Sequence, residues 1–451
     1  MSSKQVSSFI LMLIVFLLLP ALWDCSVSNK EPDHGIDPSA SFQSIIPGLM
    51  SKWNIPGGVI GLVKDEKLIY TEGFGIADKT TGIGVSPTSL FRIASLSKPI
   101  TAVAVLKLVE EGSLSLDDRP FIILDDLRPT YMSDLDNRIY DITIRDLLQH
   151  SGGWDRDVSF DPMFRSTEIA QEMGISPPAD AETIISYMFK RPLDYTPGTK
   201  YAYSNFGYCV LGRIIERVTR KPYEEFVRED ILAPMGIYGM RIGKSRANEK
   251  LPREVTYYDY EGAPLTISVF PDDTNLVPWP YGGFYLEAMD AHGGWVSSAV
   301  DLMRFICHVD GRTKVPDLLE HKTVLLMITR PLLQEWQGSA WYYAFGWQIR
   351  PIYTEANWWH TGSLPGTSTL IVRANNGLSW VALFNSRPKD SDRFVSELDQ
   401  AMWEAVNKVN KWPNKDLFLS YPSDSSEQML TIIRDTHESE KADKFKGRRQ
   451  R

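Results

Sequence analysis

Phe91-Arg92-Ile93-Ala94-Ser95-Leu96-Ser97-Lys98-Pro99 sets a hydroxyl and an amine three positions apart, directly ahead of an apolar run. On a helix that spacing puts Ser95 and Lys98 on one face, about 5–6 Å apart at Cβ. A serine hydroxyl is a weak nucleophile until a neighbouring base takes its proton. A lysine amine serves once desolvation or a nearby cation lowers its pKa. The run Pro99 to Glu111, stopped by Gly112, reads as a largely buried helix. Proline is tolerated only near a helix start, so Pro99 pins that start close to Ser95. Backbone N–H groups at this end favour developing negative charge beside the hydroxyl.

Two later motifs complete the chemistry of acyl transfer. Tyr203-Ser204-Asn205 brings a phenol and an amide, and His360-Thr361-Gly362, followed by Ser363, brings a polar edge. Each alone is a weak signal. Ser95 also reads as an N-cap, Tyr203 as a packed core tyrosine, and Asn205 as the cap of a helix from Phe206 to Thr219. Thr361 and Gly362 also read as a place where an edge strand approaches a ligand closely.

The flanks raise the specificity. Thr143-Ile144-Arg145-Asp146-Leu147-Leu148-Gln149-His150-Ser151-Gly152-Gly153, Tyr195-Thr196-Pro197-Gly198 and Gly293-Gly294-Trp295-Val296-Ser297-Ser298 stand in order between the motifs, and Leu364-Pro365-Gly366 extends the last. Together these stretches resemble the serine β-lactamase and penicillin-binding-protein-like superfamily over residues 40 to 410. The similarity is to the side holding class C β-lactamases, D-alanyl-D-alanine carboxypeptidases and related esterases. Class A enzymes are a poorer match: Tyr203-Ser204-Asn205 stands where they carry Ser-Asp-Asn, and no Glu-x-x-Leu-Asn segment is present.

The resemblance implies an acyl-enzyme on Ser95. It implies that Lys98 and Tyr203 share the proton traffic and that Asn205 holds the substrate amide or the Lys98 ammonium. It places the oxyanion between the backbone N–H groups of Ser95 and Ser363. It implies a secreted serine hydrolase of esters, amides or peptides. A penicillin-interacting D-alanyl peptidase or β-lactamase, and a non-catalytic binding protein, are the alternatives. One departure matters. Many members carry Lys-Thr-Gly as the third motif, and His360 here is mostly neutral at pH 7. Recognition of a substrate carboxylate is expected to weaken, favouring ester or neutral amide substrates.

The rest of the chain bounds this reading. Its 451 residues exceed one ordinary core, so two lobes are expected. A net charge of −9 argues against nucleic acid or anionic membranes as partners. No phosphate-cradling glycine motif, no Cys-x-x-Cys, no His-Glu-x-x-His and no Gly-x-Ser-x-Gly is present, so neither metal nor cofactor is expected. Residues 1–25 carry Lys4 and an apolar run, Phe9 to Leu19, too short for a comfortable span. They read as a signal peptide or an uncleaved anchor, with an extracytoplasmic location and membrane contact only if the segment is retained. Cys209 and Cys307 read as buried thiols or as a disulfide pair. Oligomeric state is not encoded in any motif.

The pattern predicts an α+β fold: an antiparallel sheet flanked by terminal helices, with a mostly helical lobe inserted. The catalytic domain covers 36–410, its sheet lobe about 36–90 and 310–410 and its helical lobe about 91–309. Helices are expected at Ser41–Trp53, from Thr143 to Gly152-Gly153, from Pro222 to Leu232, at Ala299–Val309 and at Phe394–Val409. Strands are expected at Gly58–Lys64, Leu68–Gly75, Phe345–Ile352, Ser368–Arg373 and Leu378–Asn385, with Asn376-Gly377 as a hairpin turn. Trp154 to Asp180 is polar and irregular, and reads as a lid or a surface loop. Aromatic residues crowd from Trp279 to Trp359 and read as core or as an apolar acyl pocket. Residues 411–451 read as a solvated charged tail.

Overall fold

Strands at both ends of the chain pair with each other, and this fixes the architecture. The computed structural model describes residues 35–130 and 135–421. The 1–25 segment and residues 422–451 of the tail lie outside the described residues. Helix α1 (Pro38–Lys52) is capped by Asp37 and has Pro38 in its first turn, where a missing N–H costs nothing. It leads into β1 (Gly57–Lys64) and β2 (Lys67–Asp78). The hairpin between them takes left-handed backbone at Asp65 and Glu66, the twist that tight hairpins prefer.

The inserted lobe follows, with helices α2 (Ser97–Glu110), α3 (Asn205–Thr219) and α4 (Ala299–Cys307). The chain then returns as β3 (Gln348–Ile352), β4 (Glu355–Leu364), β5 (Thr367–Arg373) and β6 (Leu378–Phe384), and closes with α5 (Ser391–Lys408). The eight-stranded sheet runs Tyr342–Tyr343, β3, β4, β5, β6, β1, β2, Ile83–Gly84. β1 pairs antiparallel with β6, Gly58 opposite Phe384 and Lys64 opposite Leu378. The β5–β6 turn uses Gly377 at φ +86°; a Cβ there would lie 2.7 Å from Asp65 Oδ1.

Both faces of the sheet are covered, which is why β5 and β6 are buried along their whole length. On one face α1 and α5 close a core of Phe42, Leu62, Trp380, Phe394 and Met402. On the other, the sheet packs against the inserted lobe through a larger core containing Val59, Val103, Met303 and Leu383. The expected α+β fold with an inserted helical lobe is borne out.

Several local expectations are corrected. The helix opened by the Thr143–Asp146 capping box ends at Leu148 rather than at Gly152-Gly153. His150 turns left-handed at φ +61°, while Ser151 donates through N and Oγ to Asp146, at 2.7 and 2.8 Å, and folds the chain back. The Pro222–Leu232 helix is one α turn followed by a wider π turn. The inserted lobe also holds a three-stranded sheet of Phe91–Arg92, Trp295–Ser297 and Arg241–Ile242. The beginning of the tail stays partly exposed while touching the body at two points. Asp416 accepts from Leu68 N at 3.2 Å, and the Arg304 guanidinium stacks on Phe418, so 411–421 returns to the body. Among the described residues no helix is long and apolar enough to cross a membrane.

Candidate active site

The Ser95 turn is held from three sides. Ala94 takes a left-handed backbone at φ +50°, and Ser95 lies in the tight turn Ala94–Leu96 before α2 begins at Ser97. A non-glycine residue keeps that conformation only where its surroundings over-determine it. Here Ile93 N donates to Trp295 O at 2.9 Å. Thr369 Oγ1 on β5 donates to Ile93 O at 3.0 Å. Ser97 Oγ donates to Ala94 O at 2.7 Å. Ser95 and Lys98 therefore face each other across the junction of a 3₁₀ turn and a helix, where residues three apart eclipse.

Lys98 is completely buried. Its Nζ donates to Ser95 Oγ at 3.2 Å, to Asn205 Oδ1 at 2.8 Å and to His292 O at 2.9 Å. Burial pushes its pKa well below the ordinary lysine range, the Arg156 charge pushes the same way, and Asp161 opposes them. Nζ also lies 4.7 Å from the Tyr203 ring centroid. Burial raises the Tyr203 phenol, while the Ser95 side chain and the Arg156 guanidinium, 5.0 Å from the ring centroid, favour its ionised form. Ser95, Lys98, Tyr203 and Asn205, read from two separate stretches, come together.

Asn205 is not the helix cap. Ser204 fills that role, its Oγ accepting from Gly207 N at 3.1 Å. Asn205 is left to bridge Lys98 and Asp161, its Nδ2 donating to Asp161 Oδ2 at 2.6 Å. Asp161 is a residue that motif reading missed. It belongs, with Arg156, to the stretch 154–180, which combines exposed loop at 156–159 with a short helix, Ser166–Met173. Trp154, Met163, Ile169 and Ala179 are buried, and the segment is the wall that carries both charges into the site. His150 was also missed as a site residue. Its Nδ1 accepts from Ser204 N at 3.2 Å and its carbonyl from Ala202 N at 2.8 Å, docking the Tyr203 segment.

The third motif comes from β4. β3 pairs with β4 only as far as Trp359, so residues 360–364 form a free edge although β4 lies inside the sheet. Thr361, Ser363 and the largely buried His360 all contribute to the cleft lining. His360 Nδ1 donates to Thr361 O at 2.7 Å, and Nε2 accepts from Tyr343 OH at 3.1 Å. Burial and Lys98 hold this imidazole at about 3, so it stays neutral. Gly362 packs under the Ser95 turn, where a Cβ would lie 2.6 Å from Ile93 O and 2.2 Å from Thr369 Oγ1.

A consequence for stability follows from His360. An unfolded histidine takes a proton near 6.5 and the folded one near 3, so stability is lost as pH falls between those values. At pH 5, a unit and a half below 6.5, the loss from His360 is about 2 kcal/mol. In urea titrations the stability gap between wild type and His360→Asn is expected to narrow by about that amount from pH 7.5 to pH 5; an unchanged gap contradicts the assignment.

The cleft has a volume of about 530 Å³, with Ser95, Arg156, Tyr203, His292 and Thr361 among its lining. Of the aromatic crowd, Trp336, Tyr342, Tyr343 and Trp347 are buried core, while Trp341 lines the cleft. Cys209 and Cys307 are free buried thiols, not a disulfide, and burial raises both.

Comparison with known proteins agrees with this geometry. The Beta-lactamase family model matches residues 42–401. Protein flp of Staphylococcus aureus is 26% identical over 356 residues, 78% of this chain, and the match spans 64% of flp. Penicillin-binding protein 4* of Bacillus subtilis is 26% identical over 373 residues, 81% of this chain and 75% of its own. The octameric penicillin-binding protein homologue from Pyrococcus abyssi superposes with a TM-score of 0.62 and 26% identity, covering 85% of this chain and 80% of that one. With the matched region running from α1 into α5, the chain belongs to the Beta-lactamase family.

Proposed function

We propose that this protein is a serine hydrolase that opens ester or amide bonds through an acyl-Ser95 intermediate. Ser95 Oγ bonds to the carbonyl carbon as its proton passes to Lys98 Nζ. The tetrahedral oxyanion lies between the N–H groups of Ser95 and Ser363. The leaving group departs with a proton delivered through Tyr203, and water then releases the acid by the reverse sequence. Members of the family are serine hydrolases of small amide, ester or peptide substrates.

The observation that carries the reading is the buried Lys98 amine, 3.2 Å from Ser95 Oγ, with its pKa forced down by burial. A deprotonated amine at that distance is a competent general base. Asn205 and the His292 carbonyl hold it in place. Neutral, buried His360 supplies no cation at the third motif, which supports esters or neutral amides there and leaves Arg156 and Arg387 as the cleft's cations. The N-terminal apolar run supports export from the cytoplasm.

Covalent probes test the reading. A fluorophosphonate is expected to label the wild type and not Ser95→Ala. Labelling by a fluorescent penicillin alone moves the assignment to a penicillin-interacting peptidase. No labelling by either probe, with the protein folded, makes it a binding protein.

A further inference from the structure

A second cavity opens beside the cleft, on the face of the sheet that carries α5. It has a volume of about 250 Å³ and is walled by Trp359 on β4, Leu370 and Val372 on β5, and Val395, Asp399 and Trp403 on α5. Two residues, Thr361 and Asp392, line both spaces. Alternation along β4 explains the join. Trp359 and Thr361 point to the α5 face, while Trp358 and His360 between them point into the core and are buried.

Aromatic rings connect the two spaces independently. Tyr201 lies in the cleft wall and meets Trp336 edge-on, ring centroids 4.9 Å apart. Trp336 meets Trp341 at 5.2 Å, and Trp341 meets Trp359 at 6.1 Å. Trp341 faces the cleft and Trp359 the second cavity. A molecule with its carbonyl at Ser95 and an apolar arm passing Thr361 and Asp392 reaches Trp359 and Trp403 beyond them. Arg350 against Asp392 and Asp399 gives this cavity no surplus of positive charge, so an acidic arm is disfavoured there.

We infer that this groove is a substrate subsite, occupied by a linear or aryl apolar substituent that extends from the scissile carbonyl past Thr361 into the space between β4, β5 and α5. The inference rests on the acyl-hydrolase reading of Ser95 and adds the substrate's far end to it. The arm belongs either to the acid or to the alcohol, and the chemistry of the groove is the same for both.

Two ester series separate those sources: p-nitrophenyl esters from acetate to octanoate, and acetate esters from ethyl to octyl alcohol. In one series kcat/KM is expected to rise about threefold per methylene, near the limit set by burying a CH₂, and then to reach a plateau. Ser396→Trp, an exposed position of α5 on the groove, is expected to lower the long-to-short kcat/KM ratio at least tenfold. Val395→Phe, a smaller obstruction, is expected to lower it in the same sense and serves if Ser396→Trp does not fold. If both series are flat while turnover stays dependent on Ser95, the groove is no subsite and the hydrolase reading stands. A chain-length preference that neither variant alters also overturns it. If no ester is turned over, the hydrolase reading fails first.

Discussion

Lys98→Ala is expected to lower kcat/KM by about 10²–10⁴-fold, the range that a positioned general base contributes, while leaving Ser95 in place. Lys98→Arg is expected to be as inactive, although it restores the positive charge. A guanidinium does not release its proton at any working pH and cannot receive the one from Ser95. The pair of variants thus separates a proton acceptor from a structural cation. Steady-state rates on a short ester, with thermal melts to establish folding, are the measurements. An arginine variant within tenfold of wild type would assign the base to Tyr203. The pH profile carries the same information with a definite sign. Burial lowers the Lys98 pKa, so the amine is neutral above its folded-state value, and activity is lost as pH falls through it. Burial is the main cause of the acid limb, and the 154–180 wall tunes it, Asp161 opposing the lowering and Arg156 assisting it.

That wall marks the boundary of what the sequence disclosed. Ser95, Lys98, Tyr203 and Asn205 were legible because each sits at a punctuated helix start: Pro99 fixes one end, and Ser204 caps the other at α3. Their chemistry is local and their spacing short. Asp161 and Arg156 had no such signal. They lie in irregular backbone whose course is decided by burial of Trp154, Met163 and Ile169, contacts set by tertiary packing. His150 was visible only as the presumed interior of a helix. Its left-handed backbone follows from side-chain bonds between Ser151 and Asp146, which no periodicity records.

The sheet was read with similar unevenness. β1, β2, β5 and β6 are dense apolar runs with clear turns and were found nearly to their ends. β4 was known only through its motif. Its sequence, Glu355 to Leu364, alternates buried and more exposed positions, with tryptophan, asparagine and glycine interrupting any β-branched run. The aromatic crowd was ambiguous for a physical reason: tryptophan fills cores and lines clefts equally well. Position decides, and Trp347 is buried while Trp341 is not.

Gly362→Ala is expected to cost about 10²-fold in kcat while the protein still folds. The added Cβ would lie 2.6 Å from Ile93 O and 3.1 Å from Ala94 Cβ, with Thr369 Oγ1 at 2.2 Å. Thr369 Oγ1 can rotate away only by giving up its bond to Ile93 O, and the carbonyl and Ala94 belong to the backbone that holds Ser95. The strand and the Ser95 turn must therefore separate. Overpacking of this kind typically costs about 1–3 kcal/mol of stability, which a domain of this size survives. A displacement of about 1 Å between nucleophile and cleft edge is enough for a loss of two orders of magnitude. Substrate still finds the cleft, because Tyr203, Arg156 and Trp341 line it without contacting Gly362, so KM is expected to move by less than about threefold. A variant with wild-type kcat would mean that β4 does not position Ser95, and that the left-handed Ala94 turn is held by Trp295 and Ser97 alone.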